Sequence, residues 1–269
     1  MRARNKVLKS LAGSTWGADK ETLLTTYKAI GRSVANYAAP VWTAGTSDMQ
    51  WRNLQTCQNA ARTAIGCHLM SSEHHLHQEI QMLAVKEHNT LLSKQFLVGC
   101  YRGNHPNNAL LRNEPPPRHV RRHLHDWKSD VEPCVDHPFD AEKYRAALNH
   151  LHTDAVRSSL STRNDNIVLG GRPPPINIDE AELPRETRCT LAQLRSGWCR
   201  RLNSYLSRLN PEVADTCPAC GQGPHNTQLL FACASNPTTL TPEALWTAPI
   251  DAARFLGLRL VESEDEDDP

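Results

Sequence analysis

The chain has 269 residues, 22% of them charged and 39% apolar. That length can hold one or two domains with a hydrophobic core, and no apolar run approaches the eighteen or more residues of a membrane-spanning helix. The formal net charge of +1 hides an asymmetry: the last eight residues, from Glu262, carry six acidic groups, and without them 30 basic residues face 23 acidic ones. Such a basic body suits a polyanionic partner.

The amino terminus, Met1-Arg-Ala-Arg-Asn-Lys6, is basic, but no apolar signal core follows it. An intracellular protein, nuclear or cytoplasmic and not secreted, is expected. Nine cysteines, an odd number, then read as reduced thiols, with only the last three placed to bind anything.

In chain order, the first predicted helix spans 19 to 39, with Asp19 as N-cap and Leu23, Leu24, Tyr27, Ile30, Val34 and Tyr37 on one face. Pro40 ends it. A second runs from Asp48 to Ile65, started by the Ser47/Gln50 capping box and stopped by Gly66; its inward stripe is Trp51, Leu54, Cys57, Ala61, Ala64 and Ile65. Two more cover 72 to 83 and 86 to 102, and these elements form a bundle over 1–103. A proline-rich linker follows at 104–139, with Pro115-Pro-Pro117 extended. Residues 140–184 hold a helix to Leu160 and an irregular connection in which Asn166 to Leu169 has the length of a short strand. Residues 185–258 hold a helix from Thr190 to Leu209, the cysteine cluster, and a final helix opened by Thr241-Pro242 and ending near Gly257. Residues 259–269 are the acidic tail. The fold class expected is mainly α: a helical bundle, irregular connections, then a helix with a small Cys/His module.

The most specific chemistry is Cys217-Pro-Ala-Cys220 with His225 and Cys233. A C-x2-C turn directs two sulfurs at one point, and a histidine and third cysteine complete a tetrahedral zinc set. Glycines and prolines around the turn prevent a local core, so a metal would supply the missing stability. The alternative is a merely reduced or decayed cysteine loop. Upstream, Arg185, Arg188, Arg195, Arg200 and Arg201 read either as a phosphate-binding face or as ordinary surface. Trp198 and Tyr205 read either as stacking platforms for unpaired bases or as core. Arg118 to His125 is a second basic stretch or a polar linker. Glu73-His74-His75-Leu-His77-Gln-Glu79 lacks the H-E-x-x-H order of zinc hydrolases and reads as a solvated helix start. No catalytic constellation is visible.

Several stretches together resemble a known family. Leu11-Ala-Gly-Ser-Thr-Trp-Gly17, Thr26-Tyr-Lys-Ala-Ile-Gly-Arg-Ser-Val34, Asn36-Tyr-Ala-Ala-Pro-Val-Trp42 and Leu54-Gln-Thr-Cys-Gln-Asn59 are similar to the region after the polymerase core in jockey-like non-LTR (LINE-type) retrotransposon reverse transcriptases. Thr190-Leu-Ala-Gln-Leu-Arg-Ser-Gly-Trp198, Arg201-Leu-Asn-Ser-Tyr-Leu206 and Cys217-Pro-Ala-Cys220 look like the end of the same polyproteins. The resemblance implies a thumb-like helical region followed by a zinc-knuckle-like tail that helps hold RNA or DNA. Polymerisation in that family needs paired palm aspartates that hold magnesium. Here Asp267-Asp268 lies in the acidic tail, so no magnesium site and no reverse transcription are expected. The chain reads as the product of a truncated element copy.

The chain departs from the family pattern at Leu229, where a histidine stands four residues before the last cysteine, and at Ala84 and Ala234, where relatives carry proline. His225 must then serve as the fourth metal ligand, or the site is three cysteines alone. The expectation is RNA or single-stranded DNA binding through Arg188, Arg195, Arg200 and Arg201, with the rest of a retrotransposon polyprotein as a further partner. The alternative is an inert relic with no biochemical role.

Overall fold

The computed structural model describes residues 2–13, 16–102, 105–112, 124–135, 139–162 and 165–260. Pro115 to Pro117, Arg118 to His123 of the basic stretch, Pro138 and the acidic run from Glu262 lie outside the described residues. The protein is mainly helical, and no strand occurs among the described residues. No helix there is long and apolar enough to cross a membrane.

The helices that organise the fold are, in order, α1 (Lys20–Thr26), α2 (Asp48–Gln58), α3 (Glu73–Ile80), α4 (Val85–Cys100), α5 (Ala141–Ser161), α6 (Arg185–Arg195), α7 (Asn203–Leu209), α8 (Thr227–Ala232) and α9 (Pro249–Phe255). Short polar side chains start several of them. Asp19 accepts the Thr22 N–H, Ser72 that of His75, Asp140 those of Glu142 and Lys143, and Asn226 that of Leu229. Each satisfies an amide that has no partner within its own helix.

Three sequence expectations are corrected locally. The first helix does not keep one phase: after α1 a π-helical turn spans Tyr27–Arg32, before a short helix at Ser33–Asn36. A π turn holds one residue more, which advances each later side chain by about 100° around the axis. Val34 and Tyr37 therefore face outward, 40% and 81% exposed, and Ala35 takes the buried position. The helix expected from Thr190 to Leu209 is two helices. Gly197 (φ +72°) ends α6, its N–H bonding to the Leu194 carbonyl while the Trp198 N–H reaches that of Gln193, the Schellman arrangement. The short strand at Asn166 to Leu169 is a tight turn instead, with Asn166 Oδ1 accepting the Val168 and Leu169 N–H groups.

The chain forms two compact units, and neither is one stretch of sequence. One comprises Met1–Asn5, Lys28–Gln58 and Met82–Arg163; the other comprises Lys6–Tyr27, Asn59–Gln81 and Asn164–Pro269. The division cuts across the successive blocks read from the sequence.

In the first unit α4 is the central helix. Leu91, Leu97 and Val98 pack with Ala147 and Leu151 of α5 and with Val131, and Val85 packs with Trp51 of α2 and Ala35. The carbonyl of Leu83 accepts from both Arg32 Nη2 and Gln58 Nε2, each at 3.0 Å, filling both acceptor positions. His88 Nε2 lies 3.2 Å from Asn36 Nδ2. Burial, then the charges of Arg32 and His152, push the imidazole down to about 4.

In the second unit the core combines Leu191 and Leu194 of α6, Tyr205 of α7, Phe231 of α8 and Ala252 and Ala253 of α9, closed by Leu202, Leu245 and Trp246. This unit carries the cysteines and arginines singled out by the sequence.

Candidate metal centre and groove

The sulfurs of Cys217, Cys220 and Cys233 all lie within 4.8 Å of one another. Three local devices bring them together. The C-x2-C turn closes with Gly221 N–H on the Cys217 carbonyl and Cys217 N–H on that of Gln222, and Gly221 takes the left-handed conformation (φ +71°) that the turn requires. Helix α8, capped by Asn226, delivers Cys233 at its C-cap. Ser235 Oγ then donates to the Ala219 carbonyl at 3.1 Å and ties the segment after α8 to the turn.

The donor set fits a metal. Cys217 Sγ and Cys233 Sγ stand 3.8 Å apart, far beyond disulfide bonding. Two thiolates bound at 2.3 Å to a tetrahedral zinc stand about 3.8 Å apart. The amide N–H groups of Cys220 and Ala219 point at Cys217 Sγ and lower its pKa, whereas burial and the neighbouring sulfurs of Cys233 and Cys217 raise that of Cys220. Three cysteines thus form a group able to hold a metal ion.

His225 is not among them. Its Nδ1 accepts the backbone N–H of Asn203 at 3.0 Å, and its carbonyl accepts that of Ser204 at 3.2 Å. Leu202 at the start of α7 offers no side-chain cap, so His225 satisfies two amides there from outside the helix. Thr227 Oγ1, two residues on, donates to the Leu194 carbonyl at 2.9 Å. His225 belongs to the seam between the cysteine module and α6–α7. Burial lowers its pKa, opposed by Asp215.

The five arginines part company. Arg195 is fully buried. Its Nη1 lies 3.2 Å from Glu79 Oε2, its Nη2 bonds to Glu180, and its Nε donates to the Leu245 carbonyl at 2.9 Å. Burial would lower its pKa, but Glu79 and Glu180 outweigh that and raise it. A guanidinium so enclosed cannot meet a phosphate, which corrects the expectation for Arg195. Arg188 holds both carboxylate oxygens of Glu21, at 2.8 and 3.0 Å. Arg185 donates to the carbonyls of Gly13, Thr63 and Ala64. Only Arg200 and Arg201 are exposed, and Arg201 donates to the Leu256 carbonyl at 3.1 Å.

Arg200 lines an open groove of about 440 Å³ together with His68, Leu69, Glu186, Gln193 and Trp198. The His68 and Trp198 rings are stacked with centroids 5.8 Å apart, and the buried Tyr205 hydroxyl reaches His68 Nε2 at 2.8 Å. Arg208, exposed on α7, lies over Trp198 with its guanidinium carbon 5.0 Å from the ring centroid. Tyr205 is therefore core, whereas Trp198 is half-buried between the core and the groove.

The sequence also missed residues that matter. In Glu73 to Glu79, expected as a solvated helix start, His75, His77 and Glu79 are buried. Glu79 is the counter-ion of Arg195, and His75 Nε2 donates to the Ala192 carbonyl at 3.1 Å. Apolar periodicity gave no signal for them. No family model, no curated protein and no solved structure matches this chain.

Proposed function

We propose that this chain is a nucleic-acid-binding protein of jockey-like, non-LTR retrotransposon ancestry that takes RNA or single-stranded DNA through backbone contacts and performs no polymerisation itself. The observation that carries the reading is the pair of exposed arginines, Arg200 and Arg208, beside the groove at Trp198 and His68, with exposed Arg201 next along the chain. Arginine forks suit phosphate oxygens without demanding a base sequence. The surplus of basic over acidic residues outside the carboxyl-terminal run agrees with a polyanionic partner.

Cys217, Cys220 and Cys233 are proposed to hold zinc, which would cross-link the C-x2-C turn to the end of α8 where the segment has little core of its own. The setting is the nucleus or cytoplasm, with other parts of a retrotransposon polyprotein as further partners. A second reading, an inert relic, draws on the internal commitment of Arg188 and Arg195.

Titration of a labelled single-stranded RNA by fluorescence anisotropy tests the proposal. Binding is expected at low salt and to weaken steeply as salt rises, because each phosphate contact releases counterions. Salt-independent binding, or none at low salt, returns the chain to the relic reading.

A further inference from the structure

Three observations define the ligand set of the cysteine centre. Among the described residues, no histidine nitrogen or carboxylate oxygen joins the three sulfurs within 4.8 Å. The nearest histidine in sequence, His225, has Nδ1 occupied as acceptor of the Asn203 N–H. A neutral imidazole that accepts at Nδ1 carries its proton on Nε2, so neither nitrogen keeps an in-plane lone pair for a metal. Third, Leu229 stands on α8 one helical turn before Cys233. Positions four apart share a helix face, and position 229 carries an alkyl group where the family resemblance places a histidine.

We propose that the centre is a three-thiolate site whose fourth coordination position is filled by a neutral donor from solution: water or a small imidazole. This rests on the zinc reading above and adds its ligand set. Each thiol gives up its proton on binding, so one divalent zinc with three thiolates carries a net charge of −1 and needs only a neutral donor to complete four-coordination. Cys220 is half-exposed where Cys217 and Cys233 are buried, which leaves the solvent side of the centre at Cys220. Structural zinc sites are closed by four protein ligands, whereas sites that exchange a ligand hold three. The centre therefore belongs with the second kind.

The test uses the full reduced chain loaded with zinc for X-ray absorption and with cobalt(II) for optical titration. The wild type is expected to show three sulfur neighbours and one light neighbour without imidazole scattering, and added imidazole should shift its cobalt bands. His225→Gln keeps an acceptor for Asn203 but no ring nitrogen; it should leave the spectra unchanged and metal affinity within about threefold, whereas Cys217→Ser should lower affinity at least about a hundredfold. Leu229→His should gain the imidazole signature, bind roughly tenfold more tightly or better, and lose the response to added imidazole. An imidazole shell in the wild type that disappears in His225→Gln overturns the three-thiolate assignment and leaves zinc binding intact. No metal uptake by the wild type overturns both. RNA binding is not read in these measurements, so its failure stays separate from theirs.

Discussion

Arg195 and Glu79 meet at 3.2 Å with their side chains 0% and 2% exposed. Glu180 bonds to the same guanidinium, so a single positive charge stands between two buried carboxylates. Removing one member of such a group leaves a charge that water cannot reach. Arg195→Met should lower the stability of the second unit by about 3–5 kcal/mol, since it strands two carboxylates at once. Denaturant titration checks this, and a loss below about 1 kcal/mol would mean that the carboxylates find water. Glu79→Gln with Arg195→Met should recover part of the loss, because the pair acts as one unit.

His88 makes the first unit sensitive to pH. Its folded pKa is about 4, against about 6.5 in an unfolded chain. Above the unfolded value both states are neutral and its contribution is complete. Between 6.5 and 4 the unfolded chain takes up a proton that the folded chain refuses, so stability falls as pH falls, then levels off. The ring is partly exposed, and after discounting for screening its share is about 1–2 kcal/mol. The difference in melting temperature between wild type and His88→Gln, followed from pH 7 to 4, should change across that window, because Gln can still accept from Asn36. A constant difference argues against this assignment.

Gly66→Ala should be costly twice over. Gly66 has φ +64°, and a Cβ there would fall 2.3 Å from Cys189 Sγ. Left-handed strain adds to overpacking worth about 1–3 kcal/mol. The double substitution Gly66→Ala with Cys189→Ala should recover only the part of the overpacking due to the sulfur, because the Cβ of residue 189 stays 2.7 Å from the new one, and should keep the strain. Thermal unfolding of the two variants measures the sulfur's share.

The four arginines expected to contact nucleic acid divide by environment, and binding should divide with them. Arg200→Ala together with Arg208→Ala should flatten the salt dependence of RNA binding by up to about two counterions. Arg188→Ala should leave that slope unchanged, because its Nη2 is already on both oxygens of Glu21. Equal effects from both substitutions, measured on folded protein, would show that the groove has no privileged role.

Local features were legible in the sequence. Asp19 caps its helix and Ser47 pairs with Gln50 as read, because a cap depends only on residues two or three positions away. Gly197 was legible in principle, yet the apolar register from Leu194 through Trp198 to Leu202 masked it. The π turn at Tyr27–Arg32 has no sequence signature, and its phase shift reversed the expected roles of Val34 and Ala35. At the candidate site, spacing identified the three cysteines but said nothing about which histidine nitrogen is free. Arg195 was misplaced for the same reason: an arginine on a helix looks like surface until its counter-ions are known, and Glu79 lies 116 residues away.

That separation bears on how the protein folds. The Arg195 guanidinium pairs with Glu180 only 15 residues away, but its contact with Glu79 closes a loop of 116 residues, so full enclosure of this group waits for a non-local contact whose closure entropy comes first. A fragment beginning at residue 164 would hold all three cysteines, the groove arginines and α6 to α9, yet lack Glu79 and the Gly66 to Leu69 wall. Such a piece would keep the Arg195–Glu180 pair but leave the guanidinium without its contact to Glu79. The unit that carries the metal centre consequently draws on residues far upstream of its first cysteine.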